Sequence, residues 1–180
     1  MTRYIGFFFI IIFSSSCVKT NSNADLSIFK YNESSGISTL DPAFSKDQAT
    51  IWATNQLFNG LVQLDKSLNV KPCISKSWSI SSDLLVYTFV LRDDVFFHDH
   101  KLFKNGMGRK VIASDFEYSF SRIIDKDLAA PGMWVFSNVR SFTAINDSVF
   151  TISLMKPFPA FLSLLSMQYC SVVPREIVDA

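Results

Sequence analysis

The chain has 180 residues, with 17 basic and 16 acidic side chains and a formal net charge of +1. Neither an excess nor a stripe of basic residues is present, which argues against nucleic acid as a partner. Hydrophobic residues make up 48% of the chain and include 18 phenylalanines. This composition predicts a substantial core or an aromatic ligand surface within one ordinary domain.

The first 16 residues have the layout of a secretory signal. Arg3 precedes an apolar run over residues 4–13, and three serines follow it before Cys17. A positive start, a short apolar middle and small residues at the cut are typical of such signals. The run is about half of the ~20 residues that a membrane-spanning helix needs, so a transmembrane anchor is the weaker interpretation.

The cysteine after the serines resembles a bacterial lipobox. In that signal the chain is cut before the cysteine, which then carries lipid, although Ser14 stands here where an aliphatic residue is usual. We therefore predict a signal peptide (1–16), lipid attachment at Cys17 and a flexible tether (17–24), with ordinary secretion as the alternative. Several acyl chains, at ~0.8 kcal/mol per buried CH₂, hold a protein on a membrane without a spanning helix.

Two further cysteines, Cys73 and Cys170, could pair outside the cytoplasm. Their neighbours resemble half-buried packing sites, so we favour two buried free thiols over a disulfide. Neither spacing is typical of a metal site.

In chain order, residues 25–31 alternate like a strand, and residues 38–44 contain Pro42 and predict a turn. A helical spacing follows over residues 48–62. It places Ala49, Ala53 and Leu57 on one side with Trp52 beside them, and Gly60 suits the position just past the helix end.

Residues 61–83 predict a strand, a turn and a loop, and residues 85–97 give a strong strand signal. In that strand Tyr87, Phe89 and Leu91 lie on one face. A polar loop over residues 98–111 follows.

Residues 113–125 predict a helix. Ser114 and Glu117 have the spacing of a capping box. Phe116, Phe120 and Ile123 follow at helical intervals and predict its buried face.

The last third predicts an irregular segment over 127–139, two strands (142–147 and 148–155) around a turn at Asn146 and Asp147, and a short helix after Pro159. Residues 170–174 predict a last strand. Residues 175–180 resemble the first turn of a helix without a stop signal, which suggests an incomplete chain.

Taken in order, these stretches resemble the solute-binding proteins of bacterial peptide-type ABC transporters, the oligopeptide/dipeptide-binding family (family 5). The resemblance covers most of residues 38–175. The matching stretches are LDPAF, NQLFNGLVQLD, KPCISKSW, YTFVLRDDVFFHD, VIASDFEYSFSRIID and FTISLMKPFPAFLSLLS. The chain departs from the family at His100, where glycine is usual, and at Cys73, where alanine is commonest.

The resemblance implies the N-terminal portion of a two-lobed periplasmic-binding-protein-like (type II) α/β clamp, with mixed sheets and flanking helices. Residues 25–60 would begin lobe I and residues 61–176 would form a small accessory domain. The remainder of lobe I and lobe II would be missing.

The resemblance also implies ligand-binding candidates. Residues 43–50 match the family segment that meets the peptide backbone, where a peptide pairs as an added strand. Candidates there are Ser45, Lys46, Asp47 and Gln48, and the alternative is a solvated turn. Trp134 and Phe136 fall near a loop that lines side-chain pockets, and core packing is their alternative.

Other chemistry is weakly indicated. His98 and His100 lie two apart without an evident third metal ligand. Asp115 and Glu117 point to different helix faces, which argues against paired-carboxylate catalysis. No nucleophile or phosphate-binding motif is present. We therefore expect no enzyme, no cofactor and no metal.

The sequence predicts a membrane-tethered substrate-binding component of an ABC importer, lipid-anchored on the periplasmic side of the cell envelope. Its partners would be a peptide or similar small solute, the permease and ATPase complex, and the membrane, but no nucleic acid. A surface lipoprotein hydrolase and an envelope scaffold lipoprotein are the alternatives.

Overall fold

The computed structural model describes residues 30–180, of which residues 33–180 belong to one compact unit. The predicted signal peptide, Cys17, the tether and most of the strand predicted at 25–31 lie outside the described residues. The helices and strands are, in chain order, α1 (Gln48–Leu57), β1 (Val62–Leu64), β2 (Val70–Pro72), β3 (Ser75–Ile80), β4 (Val86–Leu91), α2 (Ala113–Ile124), β5 (Val139–Asn146), β6 (Val149–Leu154), α3 (Phe161–Leu164) and α4 (Arg175–Val178).

A four-stranded antiparallel sheet is the centre of the fold. Its strand order is β3-β4-β6-β5, and β1 and β2 pair in a separate hairpin. In the central pair, Tyr87 lies opposite Ile152 and Phe89 opposite Phe150. Alternate side chains of β4 and β6 are buried on the same face, which confirms the alternation that the sequence predicts. The predicted turn between β5 and β6 is also confirmed.

Helix α2 covers the buried face of the sheet. Its Phe116, Phe120 and Ile123 are at most 2% exposed, as their spacing predicts. The ring of Phe120 lies 5.5 Å from that of Phe150 and 5.7 Å from that of Phe142, with both pairs edge-to-face. Such pairs add about 0.5–1.5 kcal/mol each beyond the area that they bury, so an aromatic cluster fixes α2 on the sheet.

The start of α2 differs from the predicted capping box. The helix begins at Ala113, and the Asp115 carboxylate accepts the backbone N–H of Ile112 at 2.9 Å. Glu117 instead accepts the N–H of Ala144 in β5 at 3.2 Å. The prediction is wrong because the helix begins one residue before Ser114. Asp115 then takes the role predicted for Glu117, by accepting the N–H of Ile112, the residue that precedes the helix.

Two strand predictions are also wrong. Strand β3 lies in the part of residues 61–83 where the sequence predicts a loop. Most of its side chains are exposed, so no apolar alternation marks it as a strand. Residues 170–174 form only an isolated bridge, between Gly60 and Ser171.

Gly60 has a packing role and does not end the helix. Helix α1 ends at Leu57, and Phe58 already has an extended backbone. A Cβ at Gly60 would lie 3.1 Å from the Cys170 carbonyl oxygen, so glycine permits the close approach of two chain segments. On α1, Ala49 and Ala53 are buried as predicted, whereas Leu57 is about half exposed.

Cys73 and Cys170 are both free thiols, as predicted, but only Cys170 is buried and Cys73 is half-buried. Cys170 is fully buried, and burial raises the pKa of both thiols. None of the helices within residues 30–180 is both long and apolar enough to cross a membrane.

Candidate functional site

The predicted ligand segment forms a short loop between two capped helices. A 3-10 helix spans Pro42–Phe44, and the Asp41 side chain accepts the N–H of Ala43 at 3.0 Å. Helix α1 begins at Gln48, after Asp47 caps it by accepting the N–H of Thr50 at 3.0 Å. That N–H also lowers the pKa of Asp47. The two aspartates thus fix where the loop starts and ends.

Ser45 supports this loop from inside. It is 0% exposed, and its hydroxyl lies 3.1 Å from the hydroxyl of Thr54 on α1. Its carbonyl accepts the Gln168 side-chain amide at 2.8 Å in a buried hydrogen bond. Ser45 stays a predicted ligand residue, but its side chain offers no surface to a ligand in this structure.

The three following candidates face solvent. Lys46, Asp47 and Gln48 are all exposed, at the point where the chain enters α1. A cation, an anion and an amide next to each other supply donors and acceptors for a polar backbone. These three side chains, which we call the ligand loop, are the accessible part of the predicted segment.

The second pair of candidates lies on the 3-10 helix Pro131–Phe136, which contacts the 3-10 helix Pro42–Phe44. The fold therefore brings the two predicted stretches together. Trp134 is 53% exposed, whereas Phe136 is 4% exposed with its ring 4.8 Å from that of Phe120. Phe136 thus takes the core-packing alternative, and Trp134 remains accessible.

Gly132 lets the 3-10 helix Pro131–Phe136 pack closely against Tyr169. A Cβ there would lie 2.5 Å from the ring of Tyr169, closer than any side chain could stand. Tyr169 and Gln168 share one 3-10 turn, Gln168–Cys170. This turn therefore contacts both candidate stretches.

The sequence gives no signal for the residues that hold the site together. Gln168 is 123 positions from its partner Ser45, and Arg122 is 81 positions from its partner Asp41. Neither lies in a capping or turn pattern that would reveal its partner. Only the folded chain identifies them.

An apolar groove of about 580 Å³ reaches the base of the loop. Asp41 and Pro42 line it together with Phe58 at the end of α1, Phe96, and the segment that runs into α4. Phe96 is 60% exposed. The groove is mostly hydrophobic, with the Asp41–Arg122 ion pair as a charged group in its wall.

The Asp41–Arg122 pair is compact and largely shielded. Arg122 Nη2 lies 2.6 Å from Asp41 Oδ2, and the two side chains are 14% and 28% exposed. Burial by itself lowers the pKa of Arg122, but the hydrogen bonds and charge of Asp41 outweigh it and raise that pKa. Arg122 is therefore a permanent cation in the groove wall.

Residues 30–180 contain no group of three His, Cys, Asp or Glu side chains that could hold a metal ion, so His98 and His100 gain no third ligand there. The Asp115 carboxylate forms an ion pair with Arg109, at 2.6 Å, and also accepts the backbone N–H of Ile112.

Comparison with known proteins places these features in a family. The model of the bacterial extracellular solute-binding proteins, family 5 (middle region), matches residues 69–179. Heme-binding protein A of Haemophilus influenzae is 31% identical over 140 residues, which are 71% of this chain and 25% of that protein. The glutathione-binding protein GsiB of Escherichia coli K12 is 26% identical over 132 residues, or 73% of this chain and 24% of that protein.

Solved structures agree. The periplasmic binding protein DppA of Helicobacter pylori, in complex with the peptide STSA, is 31% identical with a TM-score of 0.70, over 79% of this chain and 30% of that one. NikZ of Campylobacter jejuni, in complex with Ni(L-His), is 32% identical with a TM-score of 0.66, over 80% of this chain and 27% of that one. The predicted fold class, a mixed α/β part of a periplasmic-binding-protein-like clamp, is confirmed.

The chain spans about a quarter of the length of the curated relatives that it matches. The four proteins named above are described as binding proteins or as complexes with a bound solute, which supports the prediction of a binding protein and not an enzyme.

Proposed function

Because the chain belongs to the bacterial extracellular solute-binding proteins of family 5, we propose that it is part of the substrate-binding component of an ABC importer. The match of residues 69–179 to the family carries this proposal. The protein captures a solute between two lobes, closes around it by a hinge motion and delivers it to a permease driven by an ATPase.

A peptide is the proposed solute. The relatives are named for different cargoes, namely heme, glutathione, a tetrapeptide and nickel-histidine. Peptide is favoured because the likeness to the peptide-bound DppA combines 31% identity with a TM-score of 0.70. Glutathione is also a small peptide, so two of these four relatives bind peptide-like molecules.

The ligand loop and Trp134 are the proposed contacts. Lys46, Asp47 and Gln48 would meet the peptide main chain, which gives affinity without strong demands on side chains. Trp134 would offer an aromatic face with a polar edge to varied side chains. Ser45 and Phe136 would act by holding these two stretches in place.

The proposed location is the periplasmic side of the cell envelope, with lipid on Cys17. This part of the proposal comes from the sequence of residues 1–17. A tether there would keep the binding protein near its permease and so raise its effective concentration. In this proposal, lobe I begins with residues 25–60, and a small accessory domain consists of residues 61–176.

The test is a ligand screen on the protein purified from its host. Thermal unfolding is measured with di- to hexapeptides, including Ser-Thr-Ser-Ala, and with glutathione, hemin and nickel-histidine. We expect peptides to raise the unfolding midpoint, because a ligand that binds only the folded state stabilises it. Stabilisation by hemin or nickel-histidine alone would contradict the peptide assignment. In a separate activity assay, turnover of chromogenic esters would favour the hydrolase alternative.

A further inference from the structure

The Asp41 carboxylate joins the base of the ligand loop to α2. Its Oδ1 accepts the N–H of Ala43, and its two oxygens accept Arg122 Nη1 and Nη2 at 3.2 and 2.6 Å. This is the two-pronged pairing of a guanidinium with a carboxylate, which fixes angle as well as distance. The same carboxylate therefore caps the 3-10 helix Pro42–Phe44 and attaches it to α2.

Arg122 stands on a rigid base. It lies in the last turn of α2, between Phe120 and Ile123, which are buried against the sheet. Its own side chain is 14% exposed. Because the Arg122 guanidinium is planar and binds both Asp41 oxygens, it fixes the orientation of Asp41 relative to α2. A lysine, with a single charged nitrogen, would fix that orientation less well.

The far side of the loop has its own anchors. Gln168 holds the Ser45 carbonyl and Thr54 lies against the Ser45 hydroxyl. The ligand loop follows directly, with exposed side chains. Its direction is therefore set by contacts from three separate elements, and Arg122 supplies a charged one.

We propose that Arg122 is a positioning residue, which acts through Asp41 to fix the direction in which Lys46, Asp47 and Gln48 face a ligand. The ligand part rests on the function proposed above. The positioning itself is a property of the chain without ligand, so it is tested separately. A purely structural pair would instead contribute to the stability of the whole unit.

Hydrogen exchange on the protein purified from its host, without added ligand, tests the positioning. In Arg122→Met, the amides of Ala43, Phe44 and Ser45 should exchange at least about tenfold faster. In the wild type, local opening of this segment must break the Asp41–Arg122 ion pair, and in the variant it does not have to. Those amides bond to the Asp41 side chain, the Asp41 carbonyl and the Pro42 carbonyl. Amides of β4 and β6 should keep the wild-type rate.

Two variants control the experiment. Arg92→Met removes a two-pronged ion pair with Asp94 on the surface, at 2.9 and 2.8 Å, and should leave the loop amides unchanged. Arg122→Lys keeps the charge without the fork and should restore part of the protection. Unchanged loop exchange in Arg122→Met, or faster exchange spread evenly over β4 and β6, would overturn the proposal.

A binding measurement separates this proposal from the proposed function. Protein purified from its host is titrated with Ser-Thr-Ser-Ala, and Arg122→Met should weaken binding by about tenfold while Arg92→Met does not. Equal affinity of Arg122→Met and wild type would overturn the positioning role. If the wild-type protein binds no peptide, the proposed function fails, and the exchange pattern alone decides on Arg122.

Discussion

Single residues with distant partners hold the candidate site. Ser45, Gln168 and Thr54 meet through buried hydrogen bonds, although they come from a loop, a 3-10 turn and α1. A buried polar group without a partner is costly, so each of these contacts restricts the loop. The exposed residues next to them inherit that restriction.

Gln168→Leu should destabilise the fold by about 1–3 kcal/mol, because the buried Ser45 carbonyl loses its donor. Gln56→Leu is the matched control, since Gln56 is exposed on α1. The measurement is urea unfolding of both variants and the wild type. Equal unfolding free energies for Gln168→Leu and Gln56→Leu would show that the hydrogen bond contributes nothing.

At the scale of elements, the pairing of α2 with the sheet carries most of the aromatic core. Phe120 contacts Phe136, Phe142 and Phe150, and so links α2 to the 3-10 helix that carries Trp134 and to both strands β5 and β6. The position of Trp134 therefore depends on the same packing as the core.

Phe120→Ala should lower the free energy of unfolding by about 3–5 kcal/mol, since it leaves a cavity where the ring was fully buried. Phe96→Ala, at an exposed position, should change it by no more than about 0.5 kcal/mol. Chemical denaturation gives both values. A similar loss in the two variants would contradict the burial of Phe120.

The ion pair between Glu176 in α4 and Arg109, which lies just before α2, predicts that the stability of the fold depends on pH. Arg109 Nη2 donates to Glu176 Oε2 at 2.9 Å, and this hydrogen bond holds the pKa of Glu176 below its ordinary value of 4.5. Because the unfolded chain then binds the proton more readily, Glu176 stabilises the fold above pH 4.5. That contribution is lost as the pH falls from about 4.5 through the lower folded value.

Glu176→Gln should therefore flatten the dependence of unfolding free energy on pH between about pH 6 and pH 3. Arg109→Met should remove the same part of the slope, because it removes the cause of the lowered pKa. Denaturant unfolding across this range checks both. An unchanged slope in Glu176→Gln would exclude a contribution from this pair.

At the scale of the whole molecule, the proposed anchor on Cys17 decides where the binding unit works. Mass spectrometry of the mature N-terminus should find lipid on Cys17, and Cys17→Ala should be released from the membrane, because the acyl chains supply the binding energy. Cys73→Ala is the control, since a half-buried thiol has no part in anchoring. A Cys17→Ala protein that stays membrane-bound with normal processing would contradict the anchor.

Elements whose hydrophobic pattern is local can be recognised from the amino-acid sequence alone. The alternation of Tyr87, Phe89 and Leu91 and the helical spacing of Phe116, Phe120 and Ile123 identify β4 and α2, because one buried face imposes a period of two or of 3.6. The order of motifs identified the family. Strand β3 escaped detection because an edge strand with mostly exposed side chains carries no such period.

The accessibility of the candidate side chains, by contrast, depends on how the chain packs in three dimensions. Ser45 and Phe136 are buried while Lys46, Asp47, Gln48 and Trp134 are exposed, and neighbours in sequence do not distinguish them. Hydrogen bonds from Gln168 and Arg122 span more than eighty positions. Such pairings depend on where the sheet brings distant segments together, so no local pattern encodes them.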